Sequence, residues 1–176
     1  GRLEDARATF VPMKRRGIWK IEVKGGRLHQ NWLKDVEIVS ADLEWDGERL
    51  VCESSEFLMP KGGTGSMSFT FNPATLSIDS TLDLRDANLA GFLDFNYLRY
   101  FSGSVSGRVR IAGSFNPGEK LTSELALTPE SNCYCQGIRF FEELGKMTLN
   151  PSLGKLPMES GNISLRAVGG NLEGVS

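Results

Sequence analysis

Histidine is almost missing from this chain of 176 residues: His29 stands alone. With a single imidazole, no Ser/His/Asp or Cys/His nucleophile set is written in the sequence, and no enzymatic activity is expected. Glu142-Glu143, the most obvious carboxylate pair, would face opposite ways in a strand and reads as part of a surface turn. Cysteine is scarce too, at Cys52, Cys133 and Cys135. A closed tetrahedral zinc site takes four ligands, and an odd count without a dense framework says little about redox compartment. Cys133-Tyr134-Cys135 puts two thiols on one face of a strand, where such a pair can hold a soft metal. Two half-buried small hydrophobes are the better reading, and no cofactor is expected. A disulfide between them would strain an extended backbone.

Positive charge is not in excess either. Twenty Lys and Arg stand against 22 Asp and Glu, for a net charge of −2, so charge alone will not hold a polyanion and nucleic acid is not an expected partner. No apolar run approaches the roughly 20 residues of a membrane-spanning helix. Gly1 is preceded by no Met and followed by no charged leader. The chain reads as an excised fragment, its targeting information lying elsewhere.

What the sequence has in quantity is glycine, with 20 residues, and alternation. In residues 103–128, Val105, Gly107, Val109 and Ile111 alternate with Ser104, Ser106, Arg108 and Arg110. Asn116-Pro117-Gly118 supplies a turn, and the chain returns with Leu121, Leu125 and Leu127 on one parity. Strict period-2 patterning predicts a β-hairpin with one apolar and one wet face. Residues 65–84 repeat the grammar: Met67, Phe69 and Phe71, a turn at Asn72-Pro73, then Leu76, Ile78, Leu82 and Leu84. A weaker third copy starts at Met147-Thr148-Leu149-Asn150-Pro151 and resumes at Ile163. Thin recurring units of this kind point to stacking into one extended body.

Elsewhere, residues 6–12 predict a first strand ended by Pro12, followed by a basic cluster at Lys14, Arg15 and Arg16. Trp19, Ile21 and Val23 mark a second strand, and residues 28–33 a crossover. Val39, Ala41, Leu43 and Trp45 share one parity before an Asp46-Gly47 hairpin turn. Lys61-Gly62-Gly63-Thr64-Gly65 resembles a phosphate loop only superficially: a strand follows it, not a helix, so a tight turn is expected. Asp86 to Leu93 predicts a short helix with Asp86 or Asn88 as cap and Leu89, Phe92 and Leu93 on its apolar side. Residues 94–101 extend it, plugging one end or edge of the sheet. Ile138 to Phe141 reads as another strand.

The carrying stretches DGERLVCESSEFLMPKGGTGSMSFTFNP, LDLRDANLAGFLDF, SGSVSGRVRIAGSFNP and GNISLRAVGGNLEG resemble the AsmA-like and TamB family of bacterial envelope proteins. The likeness covers residues 40–127 best, and Cys133-Tyr134-Cys135 and the proline-broken region 150–160 depart from it. It implies an all-β fold: an extended, curved, mostly antiparallel sheet folded into an open hydrophobic groove, with a short helical segment near 86–101. Residues 1–176 would be a single fragment of a longer repetitive protein, with repeat-like units near 47–101 and 103–150. The implied role is passage of phospholipid between inner and outer membranes, in the periplasmic portion of a protein anchored in the inner membrane by parts not present here. The alternative is a scaffolding β-module in outer-membrane protein assembly that binds a protein partner.

The residues themselves leave a closed sandwich and an open trough both possible. On the order of ten to twelve strands is at the size where open sheets curl or split, and at ~4.8 Å per strand their edge would run roughly 50 Å. A lipid-binding face would comprise Met67, Phe69, Phe71, Ile78, Leu82, Leu84, Val105, Val109, Ile111, Leu125 and Leu127. Each CH₂ withdrawn from water gains ~0.8 kcal/mol, so a sixteen-carbon acyl chain would cost about 12 kcal/mol to expose.

Overall fold

The computed structural model describes residues 2–14, 17–29, 35–91, 93, 95–158, 161–169 and 171–175. Arg15, Arg16, residues 30–33 of the expected crossover, Lys34, Phe92 and Asp94 lie outside them, while Leu28 and His29 of that crossover fall in a strand. Strands make up 59 % of the protein. In chain order they are β1 (Arg2–Glu4), β2 (Arg7–Pro12), β3 (Trp19–Lys24), β4 (Arg27–His29), β5 (Val36–Trp45), β6 (Leu50–Leu58), β7 (Thr64–Asn72) and β8 (Ser77–Asn88). A 3-10 turn at Leu89–Gly91 and a one-turn helix α1 (Phe95–Leu98) lead to β9 (Phe101–Ser102). Then come β10 (Ser104–Ser114), β11 (Thr122–Pro129), β12 (Tyr134–Gln136) and helix α2 (Arg139–Met147). A second 3-10 turn, β13 (Lys155–Pro157), β14 (Ile163–Val168) and β15 (Asn171–Val175) complete the chain.

Twelve strands form one antiparallel sheet that does not close into a barrel. Its path runs β4-β5-β6-β7-β8-β10-β11-β14-β15, with β1 beside β4 and the β2–β3 pair beside the second half of β5. Extensive strand contacts within it join hydrogen-bonded neighbours. Both predicted hairpins form: β7 pairs with β8 from Thr64–Arg85 to Asn72–Ser77, and β10 with β11 from Val105–Pro129 to Ala112–Thr122. The turns obey their local chemistry. The Asn72 carboxamide oxygen accepts from the amides of Ala74 and Thr75, an Asx turn. The Asp46 carboxylate accepts from the amides of Glu48 and Arg49 while Gly47 takes φ +100. Residues 61–63 close the tight β6–β7 turn, with the Met59 amide donating to the Gly63 carbonyl at 3.0 Å.

Among the described residues four bulges bend the sheet, one of them between β14 and β15 at Arg166/Ala167. Leu43 faces Cys52 and Phe69 in turn, yet the next inward pair on β6 and β7 is Ser55–Met67, so Glu53 and Ser54 bulge. On β8 the pairs Leu84–Gly107 and Ala87–Val105 spread three residues against two, with Asp86 at φ +49. On β5 the register slips between Ile38 and Ser40, turning Val39 outward to 46 % exposure, not onto the parity of Ala41. Each bulge re-aims one residue and sharpens the local twist.

Small elements cover one end of the sheet. β9, β12 and β13 form a three-stranded sheet in the order β13-β12-β9, and α2 packs on the second 3-10 turn. The helix predicted at residues 86–93 begins only at Leu89, because β8 runs on through Asn88. Asn88 does cap the turn, accepting from the Ala90 amide at 2.9 Å. Two expectations fail in the last third. Residues 138–141 are not a strand: Phe141 and Leu144 follow Ile138 at helical spacing and turn inward, and the chain coils into α2. No third hairpin copy starts at Met147, since that residue ends α2 and Pro151 opens a 3-10 turn. Glu142 and Glu143 therefore sit on a helix, where Glu143 pairs with Lys146 at 2.8 Å.

Candidate functional site: an uncovered apolar face

Directly opposed residues of an antiparallel pair project from the same face, so the register assembles side chains into rungs across the sheet. One rung runs Trp19, Trp45, Leu50, Phe71, Ile78 and Gly113. The next runs Ile21, Leu43, Cys52, Phe69, Ser80, Ile111, Ser123 and Ala167. A third joins Val23, Ala41, Ser55, Met67, Leu82, Val109, Leu125 and Leu165. The fourth joins Phe57, Gly65, Leu84, Gly107, Leu127 and Ile163, and Val105 stands beyond it between Ala87 and Pro129. All eleven residues expected to line a lipid face thus lie on one face of one sheet. The expectation left out Trp19, Ile21, Leu43, Trp45, Leu50 and Leu165, whose alternation carried the same signal. It also left out Cys52, which the β6 bulge hides from simple parity counting.

Of the eleven, only Leu84 and Val105 are buried; the other nine are half-buried. Leu84 belongs to a cluster with Val36, Met59 and Ala87, against which Phe57, Leu82 and Leu127 pack. Val105 clusters with Leu89 and Cys133 under Leu93, Phe101 and Met158, so the cap closes the face at that end. The whole chain exposes 11,876 Å², whereas a compact monomer of 19.4 kDa would expose about 8,500 Å². The difference is what one uncovered layer of strands requires.

Polar atoms within this face are silenced by the backbone. The Ser55 hydroxyl donates to the Met67 carbonyl at 2.9 Å and that of Ser80 reaches the Ile111 carbonyl at 3.5 Å. Among the described residues no buried side-chain polar atom lacks a partner. A greasy surface stays greasy only when its hydroxyls are so occupied.

The reverse face is charged. Arg108 pairs with Asp83 at 2.7 Å, Arg110 with Asp79 at 3.3 Å and Arg166 with Glu124 at 3.7 Å. The Asp83 contact, as hydrogen bond and as charge, pushes the Arg108 guanidinium pKa up. A broad depression of about 860 Å³ lies on this side, lined by Asp79, Thr81, Arg108, Arg110, Glu124 and Arg166 among others. It is open to water, Leu125, Ala126 and Leu165 also line it, and its arginines are paired with carboxylates.

His29 lies away from both, with Nδ1 3.0 Å from Asp35 and Nε2 3.6 Å from Glu4. Among the described residues no three His, Cys, Asp or Glu side chains gather as metal ligands, and no helix is long and apolar enough to cross a membrane. The fold is all-β, a large antiparallel sheet that does not close into a barrel, with one face apolar and the other charged. Comparison with known proteins yields no matching family model, no matching curated protein and no matching solved structure.

Proposed function

We propose that this chain is a non-enzymatic segment of a lipid-carrying β-groove, its apolar face holding phospholipid acyl chains while headgroups stay in water. The carrying observation is the set of four parallel apolar rungs whose side chains are mostly only half-buried across consecutive strands. A contiguous apolar surface of this extent is too large for an idle exterior. The likeness to AsmA-like and TamB proteins supplies the cellular setting of the reading: the periplasmic part of an inner-membrane-anchored envelope protein moving lipid between two membranes.

A photo-activatable residue at Phe69 or Ile111 is expected to capture acyl chains from phospholipid vesicles, and one at Arg110 is not. Capture at Arg110 alone, or at none of the three, refutes the reading. A second reading has its own observation. β2 pairs only with β3 among the described residues, so its other edge is open, and its residues are all exposed, including Phe10 and Val11; an open edge accepts an added strand. A scaffolding module would retain its protein partner after charges are placed in the apolar face; the groove reading requires no such partner.

A further inference from the structure

The cap holds three sulfur atoms that the groove reading does not use. β12 and β13 pair with Tyr134 opposite Pro157 and Cys135 opposite Leu156. The ladder continues one step further, where the Met158 amide donates to the Cys133 carbonyl at 2.8 Å. Cys133 and Met158 therefore face each other, and Cys133 Sγ lies 4.0 Å from Met158 Sδ. Cys135 is two residues along the same extended segment, and alternate side chains leave a strand on the same face.

We propose that Cys133, Cys135 and Met158 form a three-coordinate binding site for Cu(I). Thiolate and thioether donors select soft monovalent copper, whereas a closed zinc site takes four ligands that this cluster lacks. Two sulfurs each bonded to one ion at about 2.3 Å and 120° apart lie about 4.0 Å from each other, and that is the separation Cys133 and Met158 already have. The pocket is built for a weakly hydrated ion. Cys133 is buried against Leu89 and Val105, with Phe101 and Leu93 packed around it, while Cys135 is half-exposed and offers the way in. Loading releases one proton from each thiol to water and leaves one copper held by two thiolates and a neutral thioether. The third cysteine, Cys52, takes no part; it lies on the main sheet with its thiol toward the Met67 carbonyl.

The test is an anaerobic titration of the reduced protein with Cu(I) against the chromophoric chelator bicinchoninate, followed by X-ray absorption. The expected result is one equivalent withheld from the chelator, coordinated by sulfur alone at about 2.3 Å. Cys135→Ser is expected to weaken retention at least 100-fold and Met158→Leu at least 10-fold, with Cys52→Ser unchanged. Cys135 and Met158 are half-buried, so these variants spare the buried Cys133 position, and unchanged far-UV circular dichroism identifies them as folded. No equivalent withheld, equal retention in Cys135→Ser, loss in Cys52→Ser, or copper bridging two copies of the chain would each overturn the site.

Discussion

Substituting Ile111→Glu separates an open trough from a sealed core. Ile111 is half-buried in the middle of a rung, directly opposite Ser80 and Ser123. Full burial of an isoleucine gains about 1.5–3 kcal/mol, so a half-buried one contributes about 1 kcal/mol. The weaker strand preference of glutamate adds up to about 1 kcal/mol. In an open trough the carboxylate keeps its water, and the total cost of about 1–2 kcal/mol lowers Tm by about 2–8 °C. In a sealed core the same substitution strands a charge, at about 3–5 kcal/mol or more. The effect on a guest is larger than the effect on the fold. A hydrated carboxylate that keeps three methylenes of an acyl chain out of the trough removes about 2.4 kcal/mol, about fifty-fold in affinity. The assay is titration with a fluorescent sixteen-carbon fatty acid beside a thermal melt, with Arg110→Glu as the neighbour on the reverse face. That change breaks an exposed ion pair with Asp79, at no more than about 1 kcal/mol, and leaves fatty-acid binding unchanged. Equal weakening by both variants, or outright unfolding by Ile111→Glu, refutes the reasoning.

Four further outcomes are expected. Leu84→Ala, at a buried position where the sheet curls onto Val36 and Met59, costs about 2–3 kcal/mol, read from the urea midpoint. Gly107→Ala drives a methyl into the Ala126 carbonyl and the Leu127 backbone of the neighbouring strand and costs about 1–3 kcal/mol. Gly174→Ala, which meets nothing within 4 Å, leaves the melt unchanged. Backbone amides of Glu48 and Arg49, and then the Arg49 side chain, hold the Asp46 carboxyl below its ordinary pKa. A depressed folded pKa stabilises above the unfolded value of about 4 and is lost as pH falls through the folded one. The Tm gap between the native chain and Asp46→Ala therefore narrows below about pH 4.

The two hairpins were legible because their alternation is unbroken and their turns carry Asn-Pro chemistry that fixes register. The shared face of these apolar residues was legible for the same reason: parity alone places Met67, Phe69 and Phe71 on the side of Leu82 and Val109. What parity could not show was the bulges. A single extra residue reverses every later assignment in a strand, which is why Val39 points outward and why Cys52 and Ser55, three apart, share a face. α2 was misread because Ile138, Phe140 and Phe141 have strong strand preferences. The helical signal lay in Ile138, Phe141 and Leu144, spaced by three and spread past the window that looked like a strand. The cap as a whole was only half visible, since β9, β12 and β13 are two- and three-residue strands with no period of their own.

Most contacts along the main sheet join each strand to the one beside it, so cooperativity in this chain is largely a nearest-neighbour affair, as in a linear array of coupled units, with the Val36, Met59, Leu84 and Ala87 cluster as its tie between distant strands. Opening starts at the margins and travels inward. Amide hydrogen exchange is accordingly expected to be fastest in β2 and β15 and slowest in β8 and β10, a gradient running across the sheet. A surface that frays at its rims while its middle stays paired can flex without coming apart.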